Sequence, residues 1–331
     1  MNTIPSGRKY RICFLSMALI MGVLFPFLSG CKPAETHPSE SFPEPLNTEE
    51  LAIVEATPSV LPSATYTSTV VPSITPTPVI VLAPEPIQIS FEAEDGEELE
   101  GLYYPASENP APVIVLMNWS RGNQGEWEEI AYWLQGRGLL VRELNSRQTW
   151  KSSNWYPERT LDMPLGVFTF NFRSCEGGDG CQTYQPAEWL LDARAALETA
   201  AQLQGANPRQ IITAGASIGA DGAVDSCAWL NTTDIGTCLG GFALSPSSSL
   251  TVDFRAAADS LLAQENPALV YCLYGLHDDA SLETCGDYPG IRSIDFGYVA
   301  DHGLELIRVD RKPDPLNILQ EFILGALGGA Q

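Results

Sequence analysis

The stretch TAGASIGADGA, residues 213–223, places Ser217 between two glycines, where a predicted strand meets a predicted helix. The preceding RQII is typical of the end of a buried strand, and the following AVDSCAWL is typical of a helix. A sharp turn at such a junction lifts the serine out of the sheet and aims the N–H of Ile218 at a reacting carbonyl. Gly215 and Gly219 remove the side chains that would clash in so tight a turn. Because Gly-x-Ser-x-Gly alone is a common string, the prediction that Ser217 is a nucleophile depends on this strand–turn–helix context.

Two residues downstream have the chemistry that a serine nucleophile needs, namely a base and an acid that orients the base. His302 follows the last predicted strand, and Asp278 follows the predicted strand before it. The chain order predicts a triad of Ser217, Asp278 and His302, with Asp279 as the nearest rival for the acid. His277 is expected to be a structural neighbour of the site rather than its base. The alternatives are a capped surface histidine at 302 and an ordinary loop carboxylate at 278.

The pattern of apolar segments predicts the fold class. IQISFEAEDGEELEGLYYP, from residue 87, has two alternating stretches around an Asp-Gly turn, which indicates a hairpin. PVIVLM (112–117) is a strand buried on both faces, and further apolar strands alternate with amphipathic helices such as AEWLLDARAALETAAQLQG. This alternation predicts an α/β domain with a mainly parallel central sheet and helices on both faces. LLVREL (139–144) and LGVFTFNF (165–172) compete for one strand of that sheet.

Taken together, these segments resemble the α/β-hydrolase superfamily, most closely its dienelactone-hydrolase-like and serine-aminopeptidase-like branches. The resemblance covers about residues 87–327 and is carried, in the family's order, by PVIVLMNWSRGNQGEW, FNFRSCEGG, GASIGADGA, YGLHDD and DHGLEL. It implies the α/β-hydrolase fold with an N-terminal antiparallel hairpin. It also implies that Ser217 is the nucleophile, Asp278 the triad acid and His302 the base. Because RSCEGGDG follows LGVFTFNF as in the family, we prefer LGVFTFNF as the strand, and residues 145–164 are then an insertion.

The chain departs from the family after the third strand, where His-Gly is usual and Asn118-Trp119 stands instead. A tryptophan at this position puts a large side chain where the backbone normally approaches the substrate. The oxyanion donors are expected to be the N–H groups of Ile218 and Ser120, with that of Trp119 as the alternative to Ser120.

The insertion is rich in aromatic residues, which suggests either part of a lid or acyl pocket, or plain packing under a long loop. The aromatic residues concerned are Trp150, Trp155 and Tyr156.

The N-terminus has the pattern of a secretory signal. Arg8, Lys9 and Arg11 precede an apolar run at residues 12–28, and Leu28-Ser29-Gly30-Cys31 follows. That tetrapeptide resembles the lipobox of bacterial lipoproteins, which implies cleavage before Cys31 and its acylation. The alternative is an uncleaved anchor, and both interpretations place the rest of the chain outside the cytoplasm. We therefore predict a membrane partner through lipidated Cys31.

Composition divides the chain into three predicted parts. Residues 1–30 form the lipoprotein signal peptide. Residues 31–86 contain eleven of the 25 prolines, mixed with Ser, Thr and Glu, and are predicted to be a disordered tether. Residues 87–331 form the predicted hydrolase domain.

Six cysteines remain after the predicted signal and lipidation site, which in an exported chain suggests disulfides. They lie close together in sequence as three pairs, so we expect three local loops, with buried free thiols as the alternative. No pair has the Cys-x-x-Cys spacing of a metal site and the three histidines are scattered, so no metal or organic cofactor is predicted. The cysteines are Cys175, Cys181, Cys227, Cys238, Cys272 and Cys285.

Charge and motifs together define the predicted function. A formal net charge of −23 would repel a phosphate backbone, which excludes nucleic acid as a partner. We predict an extracytoplasmic, lipid-anchored serine hydrolase that cleaves carboxylic esters or related acyl bonds of a small-molecule ester or peptide substrate through an acyl-enzyme. The alternatives are a short-peptide serine peptidase and a non-catalytic cell-surface binding protein on a hydrolase scaffold.

Overall fold

A computed structural model describes residues 84–140 and 143–328 of the chain. The predicted signal peptide, Cys31 and almost all of the predicted tether lie outside the described residues. The strands are β1 Ile87–Glu92, β2 Glu98–Tyr104, β3 Ala111–Met117, β4 Gly166–Phe170, β5 Ala206–Ala216, β6 Cys238–Leu244, β7 Leu269–Tyr274 and β8 Arg292–Asp295. The helices are α1 Glu128–Leu134, α2 Pro186–Gln202, α3 Ile218–Leu230, α4 Phe254–Leu262, α5 Asp279–Cys285 and α6 Pro315–Gly328.

Within the described residues, the eight strands form one sheet in the order β1-β2-β4-β3-β5-β6-β7-β8. β2 runs antiparallel to both β1 and β4, and the remaining neighbours from β4 to β8 are parallel. The hairpin, the parallel sheet and the helices on both faces confirm the predicted α/β-hydrolase fold.

Apolar side chains along the central strands point alternately to the two faces of the sheet, which explains why helices cover both faces. On β3, Val113 and Val115 belong to one apolar core, whereas Ile114 and Leu116 belong to the other. The first core also contains apolar side chains of α2, α3 and α4, and the second contains those of α1 and α6. Successive side chains of a strand point to opposite faces, so a strand with apolar residues at every position must be covered twice.

Of the two strand candidates, LGVFTFNF contributes a strand to the sheet, and the described residues of LLVREL do not. LGVFTFNF contains β4, which pairs with β2 and β3. The described residues of 139–144 belong to no strand. The insertion at 145–164 has two short 3₁₀ turns, Thr149–Lys151 and Ser153–Trp155.

The sheet order brings the predicted site residues to one edge. Ser217 follows β5, Asp278 follows β7, and His302 lies in the loop after β8. In an open parallel sheet the carboxyl ends of the strands share one edge, which is where ligands bind. Each helix of the described residues is too short or too polar to span a bilayer.

Candidate active site

The turn at Ser217 has the strained geometry that the sequence suggested. Ser217 has φ 54° and ψ −117°, a backbone conformation that side-chain-bearing residues rarely adopt. A β-carbon on Gly215 would lie 2.0 Å from the carbonyl oxygen of Gly219, and one on Gly219 would lie 2.5 Å from that of Met117. Both positions therefore require glycine for the turn to close. The strain holds the hydroxyl of Ser217 at the start of α3, clear of the sheet.

The side chains of Ser217, His302 and Asp278 form one hydrogen-bonded chain. His302 Nε2 lies 2.8 Å from Ser217 Oγ, and His302 Nδ1 lies 2.7 Å from Asp278 Oδ2. An ionised carboxylate only accepts hydrogen bonds, so Nδ1 carries the proton and Nε2 is free to accept that of Ser217. The exposed fractions of the His302 and Asp278 side chains are 22% and 11%, so the imidazole is partly accessible to solvent.

The environment of Asp278 favours its ionised form. Burial acts to raise the pKa of this carboxyl, but hydrogen bonds from His302 and Ser281 outweigh burial and lower it. The Ser281 hydroxyl donates to Asp278 Oδ2 at 2.7 Å. Asp279 is exposed and begins α5, and the ring of His277 pairs with the exposed ring of Tyr298 rather than with Ser217.

The sequence predicts the backbone N–H groups of Ile218 and Ser120 as oxyanion donors. Neither is among the donors of the turn, loop and cap backbone hydrogen bonds in the described part of the chain, whereas the N–H of Ser217 donates to Leu244. The carbonyl of Ser120 accepts a hydrogen bond from the N–H of Cys181 at 2.9 Å, and this bond fixes the Ser120 segment. Asn118 closes this turn, because its side-chain amide donates to the carbonyls of Trp119 and Gly122.

The side chain of Trp119 folds down into the protein. Its exposed fraction is 5%, and its ring packs perpendicular to that of Trp150 at 5.6 Å between centroids. Trp150 is buried as well, and Trp155 and Tyr156 are half-buried. The Trp155 indole N–H donates to the carbonyl of Thr149, and the Tyr156 hydroxyl bonds that of Trp150, so these two rings brace the insertion itself.

Sequence reasoning missed Asp221, which lies one turn after Ser217 on α3. Its exposed fraction is 2%, and its carboxylate accepts the N–H groups of Ser247, Ser248 and Ser249 at 3.1, 3.1 and 2.7 Å. Burial raises the pKa of Asp221 to about 7, against the lowering effect of those three hydrogen bonds. A charged residue inside an alanine-rich and glycine-rich helix start was the available signal. Asp221 ties the helix of the proposed nucleophile to the loop after β6.

The six cysteines of the described domain form three disulfides, each between neighbours in sequence. One closes the loop that contacts Ser120, one joins α3 to β6, and one joins β7 to α5, which follows Asp278. The described residues contain no group of three or more histidine, cysteine or carboxylate side chains that could hold a metal ion. The pairs are Cys175–Cys181, Cys227–Cys238 and Cys272–Cys285.

No family model matches the chain. Over 138 residues the chain is 27% identical to the protein named "Uncharacterized protein YfhR" of Escherichia coli (strain K12), and the match covers 41% of this chain. A second such protein, from Escherichia coli O157:H7, is 27% identical over 132 residues, or 40% of this chain. The chain spans about two fifths of the length of these curated relatives, 40% and 38% respectively.

Solved structures with a similar fold include several hydrolases. An esterase from the archaeon Pyrobaculum calidifontis has 13% identity and a TM-score of 0.48, with 74% of this chain and 85% of that chain covered. Dienelactone hydrolase from Anabaena variabilis has 13% identity and a TM-score of 0.45, with 74% and 96% covered. Puromycin hydrolase has 18% identity and a TM-score of 0.44, with 74% and 40% covered. Similarities this distant carry no argument about activity, and the assignment of this chain to the α/β-hydrolase fold rests on its own sheet order.

Proposed function

We propose that the protein is a serine hydrolase that cleaves carboxylic esters through an acyl-enzyme. The observation that supports this most is the hydrogen-bonded chain from Ser217 Oγ through His302 to Asp278, at 2.8 and 2.7 Å. A non-catalytic scaffold has no need of a strained serine, an oriented imidazole and a half-buried carboxylate in this arrangement.

Each group of the site has one task in the proposed reaction. His302 Nε2 takes the proton of Ser217 as Oγ attacks the ester carbonyl, and Asp278 stabilises the imidazolium that forms. The N–H groups of Ile218 and Ser120 donate to the oxyanion of the tetrahedral intermediate. His302 then gives its proton to the leaving alkoxide, which leaves the acyl group on Ser217. Water then attacks this acyl-enzyme while His302 takes its proton, and the bond between the acyl carbon and Ser217 Oγ breaks as His302 returns the proton to Oγ, which releases the carboxylic acid.

The proposal includes a place outside the cytoplasm. Disulfides persist in oxidising compartments, so the three disulfides of the described domain are compatible with export. The apolar run at 12–28 and the Leu28-Ser29-Gly30-Cys31 sequence support a lipid anchor at Cys31. The prolines of residues 31–86 suit a tether between that anchor and the domain.

The proposed function is tested by hydrolysis of p-nitrophenyl acetate by the full chain in detergent. We expect a burst of nitrophenol and a mass increase of one acetyl group on the peptide that contains Ser217. The Ser217→Ala variant should lose both signals while it keeps its melting temperature. Hydrolysis that survives in Ser217→Ala, or an acetyl group on another residue, would overturn the proposal.

A further inference from the structure

The carboxylate of Asp278 accepts a second hydrogen bond besides that of His302. Ser281 Oγ lies 2.7 Å from Asp278 Oδ2, and His302 Nδ1 lies 2.7 Å from the same oxygen. Ser281 is fully buried, so water does not compete for its hydroxyl. The terminal torsion of an aspartate has a broad energy profile, so a carboxylate that is bonded to one partner alone can still rotate. The two donors together fix Oδ2 between them.

The position of Asp278 in the chain favours a competing arrangement. Asp278 is the N-cap of α5, and Ser281 is the third residue of that helix. A carboxylate at an N-cap usually turns toward its own helix and accepts a backbone N–H there. Among the described residues, no backbone N–H of α5 donates to the Asp278 side chain, which accepts the Ser281 hydroxyl instead. The hydroxyl thereby takes the place of the helix N–H groups and leaves the carboxylate bonded to His302.

The helix that carries Ser281 is fixed to the sheet. α5 has seven residues, too few for a stable helix on its own. The Cys272–Cys285 disulfide joins its last residue to β7, and the Ser293 hydroxyl of β8 donates to the carbonyl of Cys285 at 2.6 Å. From α4, Arg255 Nε donates to a carbonyl in the last turn of α5 at 2.9 Å. Because three neighbouring elements hold α5, its Ser281 hydroxyl is a fixed donor at the site.

We infer that Ser281 is a positioning residue of the proposed hydrolysis, whose hydroxyl holds the Asp278 carboxylate toward His302. This inference rests on the proposed function, because the orientation of Asp278 affects the rate only if His302 acts as the base. In both acylation and deacylation, an imidazolium forms while Asp278 bonds its Nδ1–H. A carboxylate that turns toward α5 loses this contact in both steps. Since Ser281 acts only through Asp278, its loss should lower kcat and leave KM almost unchanged.

The test is a double-variant cycle with p-nitrophenyl acetate and the full chain in detergent, with the rate of Ser217→Ala as the baseline. We expect Ser281→Ala to lower kcat about tenfold, the scale of one hydrogen bond, with KM within about twofold of the parent. In an Asp278→Ala background, the same change should alter kcat by less than about twofold, because the hydroxyl then has no carboxylate to hold. A merely structural role would lower kcat by the same factor in both backgrounds.

A spectroscopic readout does not depend on turnover. A short hydrogen bond to a carboxylate moves the proton resonance of the donor downfield, and His302 Nδ1–H makes such a bond to Asp278 at 2.7 Å. The downfield resonance is assigned to His302 by its absence from His302→Ala. Ser281→Ala should move this resonance upfield or remove it, because the carboxylate is then free to turn toward α5.

Two further variants of α5 serve as controls. Thr284→Val removes another buried hydroxyl of this helix, which donates to the carbonyl of Ala280 at 2.8 Å rather than to Asp278. It should keep the downfield resonance and change kcat by less than about twofold. Ser281→Thr keeps a hydroxyl at the same position and should recover most of the kcat that Ser281→Ala loses. Alanine is a good helix former, so Ser281→Ala should keep its melting temperature.

The outcomes separate the inference from the proposed function. A folded Ser281→Ala variant with the kcat and the downfield resonance of the parent would overturn the inference alone. The same loss of kcat from Ser281→Ala with and without the Asp278 carboxylate would also overturn it. Hydrolysis by the parent that is no faster than that by Ser217→Ala would instead overturn the proposed function.

Discussion

At the scale of single residues, the carboxylate that bonds His302 distinguishes a catalytic triad from an accidental grouping of serine, histidine and aspartate. Asp278 bonds His302 Nδ1 at 2.7 Å, and its neighbour Asp279 is exposed at the start of α5. We expect Asp278→Asn to lower kcat for p-nitrophenyl acetate by about 10³–10⁴-fold, because the amide would favour the wrong imidazole tautomer. Asp279→Asn is the matched control and should change kcat less than about threefold. Equal losses in the two variants would contradict the assignment of the acid.

The burial of Asp221 leads to a separate prediction about how the free energy of unfolding depends on pH. Burial raises its pKa from 3.8 to about 7, so between these values the folded protein binds more protons than the unfolded chain. The contribution of Asp221 to the free energy of unfolding therefore falls as pH rises from about 4 to about 7, by at most about 1.4 kcal/mol per pH unit. Asp221→Asn removes this titration. The free energy of unfolding of the parent minus that of the variant should decrease over this range.

Urea denaturation of the parent, Asp221→Asn and Asp279→Asn at several pH values measures this difference. The control changes an exposed carboxylate and should run parallel to the parent. If the curve of Asp221→Asn also runs parallel, the three N–H groups from the loop after β6 hold the carboxylate ionised and burial does not dominate its pKa.

At the scale of elements, the Cys175–Cys181 loop supports the turn after β3. The N–H of Cys181 donates to the carbonyl of Ser120, and a β-carbon on Gly180 would lie 2.4 Å from that oxygen. We expect the double variant Cys175→Ser, Cys181→Ser to lower kcat for p-nitrophenyl acetate by about tenfold or more, because a mobile Ser120 N–H stabilises the oxyanion less well.

The Cys227–Cys238 disulfide provides the matched control, because it joins the far end of α3 to the start of β6. Replacing either pair with serines should cost about 2–3 kcal/mol of unfolding free energy in the chain-entropy model. Only the first pair should also lower kcat. If kcat falls by the same factor in both double variants, the effect of the first pair is a general loss of stability.

Elements with strong periodicity could be predicted from the sequence, and contacts between them could not. The apolar runs of β3 and β5 and the glycines around Ser217 identify the sheet and its turn, because local geometry demands those residues. α5 has only seven residues and was not predicted, since so short a segment shows no clear period. The position of the Trp119 ring depends on Trp150 in a distant insertion, and the partners of Asp221 come from the loop after β6. Pairings of this kind arise only when the chain is folded.

At the scale of the whole molecule, the proposed anchor predicts where the protein is found in the cell. We expect the full chain to sediment with membranes and to incorporate a radiolabelled fatty acid, and Cys31→Ser to lose this label, because acyl chains on Cys31 supply the stable attachment. Cys13→Ser is the matched control, since Cys13 lies within the predicted signal and would be removed with it. A Cys31→Ser variant that keeps the label would contradict the lipid anchor at Cys31, and a full chain without the label would favour an uncleaved N-terminal anchor.

The central claim is that Ser217 is an activated nucleophile, and labelling with a fluorophosphonate probe tests it most directly. The parent chain should be labelled at Ser217, and Ser217→Ala and His302→Ala should not, because the hydroxyl needs the imidazole to react. His277→Ala, which changes the neighbouring histidine that does not contact Ser217, should be labelled like the parent. A parent that keeps its cooperative melting transition and is not labelled would contradict the account, and would favour a binding protein built on a hydrolase scaffold.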